Sequence, residues 1–504
     1  MELLKMFTIG IAEIIAVLFV VALTFAICTI VYMYIADVTQ KKHAIRRNYP
    51  VIGRFRYFFE HLGEFFRQYF FALDREELPF NRAQRSWVYR AAKNIDSTIA
   101  FGSTRPMDKP GDIIFLNHFF PTLHTEAVEP HQVTIGETYA QQPYSTSSLV
   151  NISGMSFGAI SVPAIRALSK GAKKAGIWMN TGEGALSPYH LEGDCDIVFQ
   201  IGTAKYGVRD AQGKLSDEKL QKIAKHQQVK MFEIKISQGA KPGKGGILPG
   251  AKVSPVIADI RGIPVGEDSI SPNGHPEIRN VDGLLDMISH IRQITGKPCG
   301  FKTVVGNSDW IDDLCLAIQR RGLQDAPDFI TIDSADGGTG AAPQSLMDFV
   351  GLPIKRSLPM VVDKLNEYGL RERIKVICSG KMITPSGVAT ALCMGADFVV
   401  SARGFMFALG CIQAMQCNKN TCPTGITTHN KALQKGLDPE NKADRVYHYA
   451  TNLAHEVGVL AHSCGVKEPR LLNRSHAEMI NELGQPIPIN HIYPDVETRD
   501  NFTP

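Results

Sequence analysis

Residues 148–176, SLVNISGMSFGAISVPAIRALSKGAKKAG, combine a candidate strand with a helical pattern. The run SLVNISGM is short and mostly apolar, as expected of a buried strand, and it leads into a glycine-containing loop. VPAIRALSKGAKKAG then repeats apolar residues at the helical spacing. The stretch therefore predicts one strand–loop–helix unit.

The same pattern recurs along the chain. Further candidate strands are GIWMNTG, DIVFQIG, MFEIKIS, PCGFKTVV, DFITIDS, IKVICSG and DFVVSAR. Eight strand–helix units over about 250 residues are what a TIM barrel requires. We therefore predict an α/β fold with a (β/α)8 barrel over residues 148–465, followed by a carboxyl-terminal tail at 466–504. The chemistry of such a barrel lies at the carboxyl ends of its strands.

The amino terminus predicts a membrane anchor at residues 1–36. Residues 14–35, IIAVLFVVALTFAICTIVYMYI, carry no charge over 22 positions, and about 20 apolar residues suffice to cross the hydrocarbon core as a helix. A buried core helix is the alternative, but an uncharged terminal run of this length makes it the weaker one. Basic residues follow the run, which predicts a single-pass protein of the cell membrane with its barrel in the cytoplasm. They are Lys41, Lys42, Arg46, Arg47, Arg54 and Arg56.

Residues 37–147 are predicted to be a helical extension. Within it, residues 53–73 place bulky apolar side chains three and four positions apart, the spacing of an amphipathic helix. Such a helix could lie in the membrane interface or dock on the barrel. Docking is the usual fate of an amphipathic helix, and it is the interpretation that we favour here.

The composition of the chain argues against nucleic-acid binding and against a disulfide-rich secreted protein. The 504 residues carry a net charge of only +4, and no basic stretch indicates nucleic-acid binding. The ten cysteines form no small disulfide framework and fit a reducing compartment. No GxGxxG motif follows a strand, so we expect no nicotinamide site in this chain.

Three of the cysteines fall close together in GCIQAMQCNKNTCPTG, residues 410–425. Cys411, Cys417 and Cys422 could be small buried apolar residues, as cysteines often are. A disulfide needs a pair, and a tetrahedral zinc site usually needs a fourth ligand. Three thiolates could instead hold three corners of an iron–sulfur cluster. The residues of this loop alone leave these alternatives open.

The last three barrel strands end in glycine-containing loops, DGGTGA, SGKM and SARG. Glycines allow main-chain N–H groups to approach an anion closely, and the final strands of TIM barrels often bind phosphate. These loops therefore predict a phosphate site.

Several separated motifs together resemble the synthase region of glutamate synthase, over roughly residues 148–465. They are GMSFGAIS, NTGEG, QGAKPGKGGILPGAKV, DGGTGAAP and the three-cysteine loop. The resemblance implies an FMN-binding barrel with a 3Fe–4S cluster beside the flavin. Its spacing of C-x5-C-x4-C implies that Cys411, Cys417 and Cys422 each bind one iron.

The resemblance also implies roles for residues at the matching positions. Lys235, Lys241 and Glu183 would be catalytic, and Gln238, Lys241 and Arg261 would bind 2-oxoglutarate. The flavin-binding residues would be Met155, Ser156 and Gly158 at the first strand, Gln200 and Lys302 near the ring, and Gly338, Gly340, Ser379, Gly380, Ala402 and Arg403 around the phosphate.

The implied reaction is reductive amination of 2-oxoglutarate by ammonia, an oxidoreductase reaction of the class acting on CH–NH2 donors. A separate electron donor is expected, either a ferredoxin, a reductase subunit or a quinone-linked protein. A separate glutaminase would supply ammonia, since no amino-terminal cysteine nucleophile of the family's glutaminase domain is present in this chain.

Three positions depart from the family pattern. Ile247 stands where a glutamine usually helps to hold the substrate, Lys244 replaces a glutamate, and Ser379 replaces an aspartate in the phosphate loop. These differences bear on which keto acid is used. Two alternatives therefore remain: a membrane-linked flavin and iron–sulfur oxidoreductase acting on another amino or keto acid, and a membrane scaffold without catalysis.

Overall fold

A computed structural model describes residues 1–498, and the chain divides into two compact units, Met1–Arg82 and the part from Ala83 onward. The first unit begins with the long helix Glu2–Thr39. Within it, Phe7–Thr39 is long and apolar enough to cross a membrane, and its most apolar part is not buried. The helices Ala44–Asn48 and Gly53–Phe66 and the π-helical turn Arg67–Phe71 follow. The helix expected over residues 53–73 is thus present.

The second unit contains a closed barrel of eight parallel strands, which confirms the predicted fold class. We label these strands β1 to β8 in chain order. They are β1 (Val150–Ile152), β2 (Met179–Asn180), β3 (Ile197–Ile201), β4 (Val229–Lys235), β5 (Cys299–Val304), β6 (Phe329–Asp333), β7 (Lys375–Ser379) and β8 (Phe398–Ser401). Seven of them lie within the predicted segments, whereas β4 begins two residues before its segment, and β8 pairs with β1 to close the barrel.

Helices surround the barrel and connect its strands. The main ones are Val162–Ala175, Asp217–Ala224, Pro255–Arg261, Val281–Thr295, Asp309–Arg321, Ile354–Glu367, Pro385–Cys393, Arg403–Leu409 and Pro439–Ser463. Shorter helices are Pro188–Leu191, Gln344–Phe349, Lys431–Gln434 and Ile489–Ile492. Because helices cover the outside and side chains fill the inside, the strands are buried on both faces, which explains their continuous apolar runs.

The amino-terminal end of the barrel is closed by a cluster of large side chains. Trp178, Phe329 and Phe398 lie there at the beginnings of β2, β6 and β8 and are almost fully buried. The hairpin formed by Val133–Ile135 and Tyr144–Thr146 packs against them. This apolar end leaves polar chemistry to the opposite, carboxyl-terminal end of the strands.

The extension is helical only as far as Ala92, where the helix Arg82–Ala92 ends. Beyond it, the expectation of a helical extension is wrong, because residues 93–147 contain the strands Ile113–Phe115, Val133–Ile135 and Tyr144–Thr146. Prolines recur in this segment, and each removes a main-chain N–H that a helix would need. Ile113–Phe115 pairs antiparallel with Ala477–Ile480, which in turn pairs with Pro486–Pro488.

Candidate active site

Two cavities lie at the carboxyl ends of the barrel strands. The larger has a volume of about 150 Å³ and the smaller about 60 Å³. They adjoin, since the same residues line both: Gly154, Gln238, Gly338, Ala402 and Arg403. The barrel therefore carries one connected site in the place that its fold predicts for chemistry.

Most of the predicted site residues surround these cavities. The larger is lined by Met155, Ser156, Glu183, Gln238, Lys241, Arg261, Gly338, Gly340, Ala402, Arg403 and Cys417. The smaller adds Gln200, Lys235, Lys302, Ser379 and Gly380. Gly158, Cys411 and Cys422 line neither cavity. The structure thus brings residues from all eight strand–loop units to one place, and their individual roles remain predictions.

Glu183 and Lys235 form an ion pair between neighbouring parts of the site. Lys235 is the last residue of β4, and Glu183 lies in the 3-10 turn Gly182–Gly184 that follows β2. The Nζ atom of Lys235 lies 3.0 Å from Oε2 of Glu183. The loop after β4 packs tightly on this carboxylate, because a Cβ atom added to Gly246 would lie 2.1 Å from its Oε1.

Positive charge outweighs negative charge around that pair. Burial alone would raise the pKa of Glu183, but Lys235, Lys241 and Arg261 hold it below its ordinary value, so the carboxylate stays ionised. Burial and the neighbouring charge of Lys235 lower the pKa of Lys241, while Glu183 opposes that shift. Three cations around one anion leave a net positive site that suits a substrate with negative charge.

Arg261 is held rigidly at the edge of the larger cavity. It ends the helix Pro255–Arg261, and its Nη2 donates to the carbonyl oxygen of Phe157 at 2.6 Å. The guanidinium carbon lies 5.1 Å from the ring centre of Tyr206. Within residues 1–498, its buried Nε has no hydrogen-bond partner. A fixed guanidinium with a spare donor is suited to binding a carboxylate.

A second charged network lies deeper, in the smaller cavity. The Nζ atom of Lys302 on β5 is 3.2 Å from Oδ2 of Asp333, which ends β6. Ser379, at the end of β7, donates to Oδ1 of Asp333 at 2.7 Å. The main-chain N–H of Gly239 donates to Oδ2 of the same carboxylate at 2.8 Å. Ser379 therefore faces Asp333 and Lys302, and Asp333 is a member of the site that the sequence analysis missed.

Glu233 is a further residue that the sequence analysis missed. It lies inside β4 and is 2% exposed, which is rare for a carboxylate. Its Oε1 accepts hydrogen bonds from Nδ2 of Asn180 at 2.8 Å and from Nε2 of Gln200 at 2.7 Å. Its Oε2 accepts from Oγ1 of Thr331 at 2.6 Å. The network fixes the predicted flavin contact Gln200, whose amide would otherwise be free to rotate.

The late glycine loops hold their shape through side chains as well as glycines. Arg403 donates from Nη2 to the carbonyl oxygen of Thr339 at 2.5 Å, joining the loops after β6 and β8. Lys381 pairs with Asp336 at 2.7 Å between the loops after β6 and β7. At Gly380, φ is +114° and an added Cβ would lie 2.4 Å from the side chain of Ser334, so only glycine fits there. These loops are built for close approach of a ligand to the main chain.

The cysteine loop lies next to the larger cavity. Nη1 of Arg403 lies 3.9 Å from Sγ of Cys417, and the main-chain N–H of Gln413 lies 3.5 Å from Sγ of Cys411. Burial raises the pKa of the Cys411 thiol, and the nearby Cys417 and Cys422 add to this effect. Burial also acts to raise the pKa of Cys422, but hydrogen bonds with Thr424 and Thr427 bring it below the ordinary value.

The cysteine loop shows no metal centre as it stands. Among residues 1–498, no group of three His, Cys, Asp or Glu side chains is placed to hold a metal ion. The donor set nevertheless suits a cluster in its chemistry, since three thiols lie on one loop beside the cationic Arg403 and each would bind a different iron. The predicted cluster therefore rests on the spacing of the three cysteines in the sequence.

Lys252 connects the cysteine loop to the first barrel loop, and the sequence analysis did not single it out. Its side chain is 2% exposed. Its Nζ donates to the carbonyl oxygen of Ala159 at 2.8 Å and to that of Cys417 at 3.2 Å. Burial lowers the pKa of Lys252 to about 8. A buried lysine that follows a glycine-rich loop resembles any solvated lysine in sequence, so no local signal would have revealed it.

Comparison with known proteins gives a consistent result. Residues 109–467 match the conserved region in glutamate synthase. The glutamate synthase large subunit-like protein YerD of Bacillus subtilis is 40% identical over 499 residues, which cover 92% of this chain and 94% of that protein. An archaeal-type glutamate synthase [NADPH] of Thermotoga sp. (strain RQ2) is 33% identical over 337 residues, covering 66% of this chain and 62% of that protein.

Among solved structures, a mutant of an active chimera of (S)-mandelate dehydrogenase aligns with a TM-score of 0.48 and 12% identity, covering 79% of this chain and 99% of that chain. A likeness at this level carries no argument about activity. The family match and the relative from Bacillus subtilis each cover most of the chain, which is sufficient to assign the family. On these grounds, the chain belongs to the glutamate synthase family.

Proposed function

We propose that the protein is an oxidoreductase of the glutamate synthase type that reductively aminates 2-oxoglutarate with ammonia. The observation that carries the proposal is the arrangement of Lys235, Lys241 and Arg261 around the ionised Glu183 at the carboxyl ends of the strands. A dicarboxylic keto acid needs cations at both ends, and this group supplies them within one site.

FMN and a 3Fe–4S cluster are the proposed cofactors. For FMN, the support is the pair of adjoining cavities, the glycine loops after β6 and β7, and the buried cation Lys302 beside the smaller cavity. Gln200 and Lys302 would face its ring, while Gly338, Gly380 and Arg403 would face its phosphate. For the cluster, the candidate ligands are the thiolates of Cys411, Cys417 and Cys422. When bound, FMN would supply hydride and the cluster would supply single electrons.

The residues of the chain have distinct parts in the proposed reaction. Arg261 and Lys241 bind the two carboxylates of 2-oxoglutarate. Lys235 polarises its carbonyl oxygen, which makes the carbon more reactive toward ammonia. Ammonia attacks the carbonyl carbon as the neutral base, and ionised Glu183 takes up a proton as positive charge develops on the attacking nitrogen. Glu183 passes that proton to the carbonyl oxygen, which leaves as water together with a second proton from the nitrogen. The resulting imine then gains two electrons and three protons, one on carbon and two on nitrogen, to complete glutamate in its ammonium form.

The proposal is tested with full-length purified protein, reduced chemically without oxygen. Addition of ammonium with 2-oxoglutarate is expected to reoxidise the flavin and to form glutamate, detected by mass spectrometry. The purified protein is expected to contain FMN and about three irons per chain. Cys417→Ser should lose the iron and keep the flavin. Glutamate formation with no flavin present, or zinc in place of iron, would contradict the cofactor assignment.

Ile247 favours a second candidate, a related reaction on a less polar keto acid. It lines the larger cavity together with Lys241 and Glu183, and its side chain is 42% exposed. An apolar side chain at this place cannot donate a hydrogen bond to a second carboxylate. The same reoxidation assay with a series of keto acids distinguishes the two. If 2-oxoglutarate leaves the reduced flavin unchanged while another keto acid oxidises it, the glutamate assignment is wrong.

The protein is further proposed to be anchored in the cell membrane by its amino-terminal helix, with the barrel in the cytoplasm. The support is the apolar helix Phe7–Thr39 and the basic residues that follow it. A separate electron donor and a separate source of ammonia complete the proposed system.

A further inference from the structure

The helix Gly53–Phe66 and the turn Arg67–Phe71 expose an unusual amount of aromatic surface. Phe55 is 58% exposed, Phe59 is 61% exposed and Phe70 is 71% exposed. Scattered apolar residues are normal on a protein surface, whereas a contiguous apolar face indicates a partner.

Most of the exposed aromatic residues share one face of the helix. Positions 55, 58, 59, 66, 69 and 70, together with the half-buried Leu62, follow one another at steps of three and four residues, so they lie along a single stripe. Phe71, at the end of the turn, lies off that stripe. Arg56, Glu60 and Arg67 are exposed and fall on other sides of the helix. A helix with one aromatic face and one charged face is suited to lie in the plane of a membrane interface.

The start of this helix is fixed to the end of the apolar amino-terminal helix. Asp37 is fully buried, and its Oδ1 accepts from Nη2 of Arg46 at 2.6 Å. Its Oδ2 accepts from Nε of Arg54 at 2.8 Å and from the main-chain N–H of Val51 at 3.1 Å. Gly53 permits this close turn, because a Cβ there would lie 2.9 Å from the carbonyl oxygen of Ile45.

We call this turn, residues 37–54, the elbow. Asp37 lies near the carboxyl end of the helix that could cross a membrane. Since Arg54 is hydrogen-bonded to Asp37, the amphipathic helix begins at the same depth as the end of the apolar helix. For a spanning helix, that depth is the membrane surface.

The charge around the elbow agrees with an anionic surface. Lys41, Lys42, Arg47 and Arg56 are exposed, whereas Arg46 and Arg54 both pair with Asp37, whose single negative charge offsets one of their two positive charges. Basic residues next to a membrane helix are attracted to the anionic lipids of the cytoplasmic leaflet.

We propose that the aromatic face of residues 53–71 binds the cytoplasmic surface of the anionic lipid bilayer, at the place where the elbow holds it. The proposal rests on the anchoring proposed above, and it differs from the expectation that this helix docks on the barrel. The occupant of the aromatic face is lipid, with Phe55, Phe58, Phe59 and Phe70 below the headgroups and the charged face toward water.

The test uses the full-length protein in nanodiscs of phosphatidylcholine and phosphatidylglycerol, with ordinary or brominated acyl chains. Bromine quenches tryptophan fluorescence at short range, so quenching reports contact with lipid. Phe59→Trp places the probe on the aromatic face, and Glu60→Trp places a matched probe on the charged face. The fluorescence of the native tryptophans is measured in the parent protein, which lacks the added probe, and is subtracted from that of each variant. Val21→Trp, inside the apolar helix, reports the anchor independently.

Quenching of Phe59→Trp at least twofold stronger than that of Glu60→Trp is the expected result. Equal quenching of the two probes, or none at position 59 while Val21→Trp is quenched, would overturn the proposal and leave the anchor intact. Unquenched Val21→Trp would instead overturn the anchor, and the inference with it. None of these outcomes depends on the proposed reaction, because no substrate is present.

Discussion

Lys241 is the single residue on which the proposed substrate binding can be tested most directly. It is 6% exposed, and Glu183, the nearby carboxylate, forms its ion pair with Lys235. Burial and Lys235 lower its pKa, which means that the folded protein disfavours its charge. Lys241→Ala is therefore expected to leave the stability unchanged or raise it, while turnover falls by about 100-fold, because the substrate loses one charged contact that positions it for reaction. Thermal unfolding and steady-state turnover measure the two effects.

Lys225 provides the control. It is exposed, follows the helix Asp217–Ala224 and lines neither cavity, so Lys225→Ala should change neither stability nor turnover appreciably. If Lys241→Ala instead lowered the unfolding temperature clearly as well as turnover, Lys241 would be a structural residue. Its assignment to substrate binding would then be wrong.

His190 predicts a pH dependence of stability. It is fully buried, and burial lowers its pKa to about 4, below the ordinary value of 6.5. Between these values the unfolded chain binds a proton that the folded chain does not, so stability falls as the pH falls. From pH 7 to pH 5 the expected loss is about 2 kcal/mol for this residue.

The variant His190→Asn isolates that effect. Asparagine can place Oδ1 where Nδ1 of His190 accepts the main-chain N–H of Ser187 at 3.0 Å, and it does not titrate in this range. Urea unfolding at pH 7 and pH 5 should show the wild-type protein losing about 2 kcal/mol more than the variant. Parallel losses in both proteins would show that His190 is not the titrating group.

At the scale of elements, the loop after β4 positions the ion pair of the site. A Cβ at Gly246 would lie 2.1 Å from Oε1 of Glu183. Gly246→Ala is therefore expected to push the carboxylate away from Lys235 and to lower turnover by about 100-fold, since a small misplacement in an active site has an effect of that size. Turnover and circular dichroism are the measurements, and the barrel should keep its secondary structure.

Gly306→Ala is the control for that variant. Nothing lies within 4 Å of a Cβ added there, and the residue is in the loop after β5. It should retain full turnover. Equal turnover of Gly246→Ala and Gly306→Ala would mean that the loop after β4 shifts to accommodate the added methyl group without displacing Glu183.

The elements of the barrel could be predicted because each strand is a short apolar run between polar loops, which is the local consequence of burial on both faces. The strands of the extension were harder to predict, because each has only three residues and the first, Ile113–Phe115, pairs with a distant segment near residue 477. Within the site, Lys235 was predicted from the resemblance to the glutamate synthase family. Glu233 was not, since its partners Gln200 and Thr331 come from other strands and only the closed barrel brings them together.

At the scale of the whole molecule, the proposed anchoring and the orientation that goes with it are open to experiment. The basic residues after the apolar helix predict that the barrel faces the cytoplasm. Protease added to intact cells is expected to leave the barrel uncut, whereas the same protease added after the cells are opened should digest it. Immunoblotting against the barrel measures both. Cleavage in intact cells would place the barrel outside.

The pairing of Ile113–Phe115 with Ala477–Ile480 has a consequence for how the protein is made. A ribosome adds about 5 to 20 residues each second. The strand Ile113–Phe115 therefore remains unpaired for tens of seconds before its partner strand has been synthesised. The apolar helix leaves the ribosome earlier still and can reach the bilayer while the barrel is only partly translated. Chaperones that cover nascent chains would find the unpaired edge of Ile113–Phe115 during that interval.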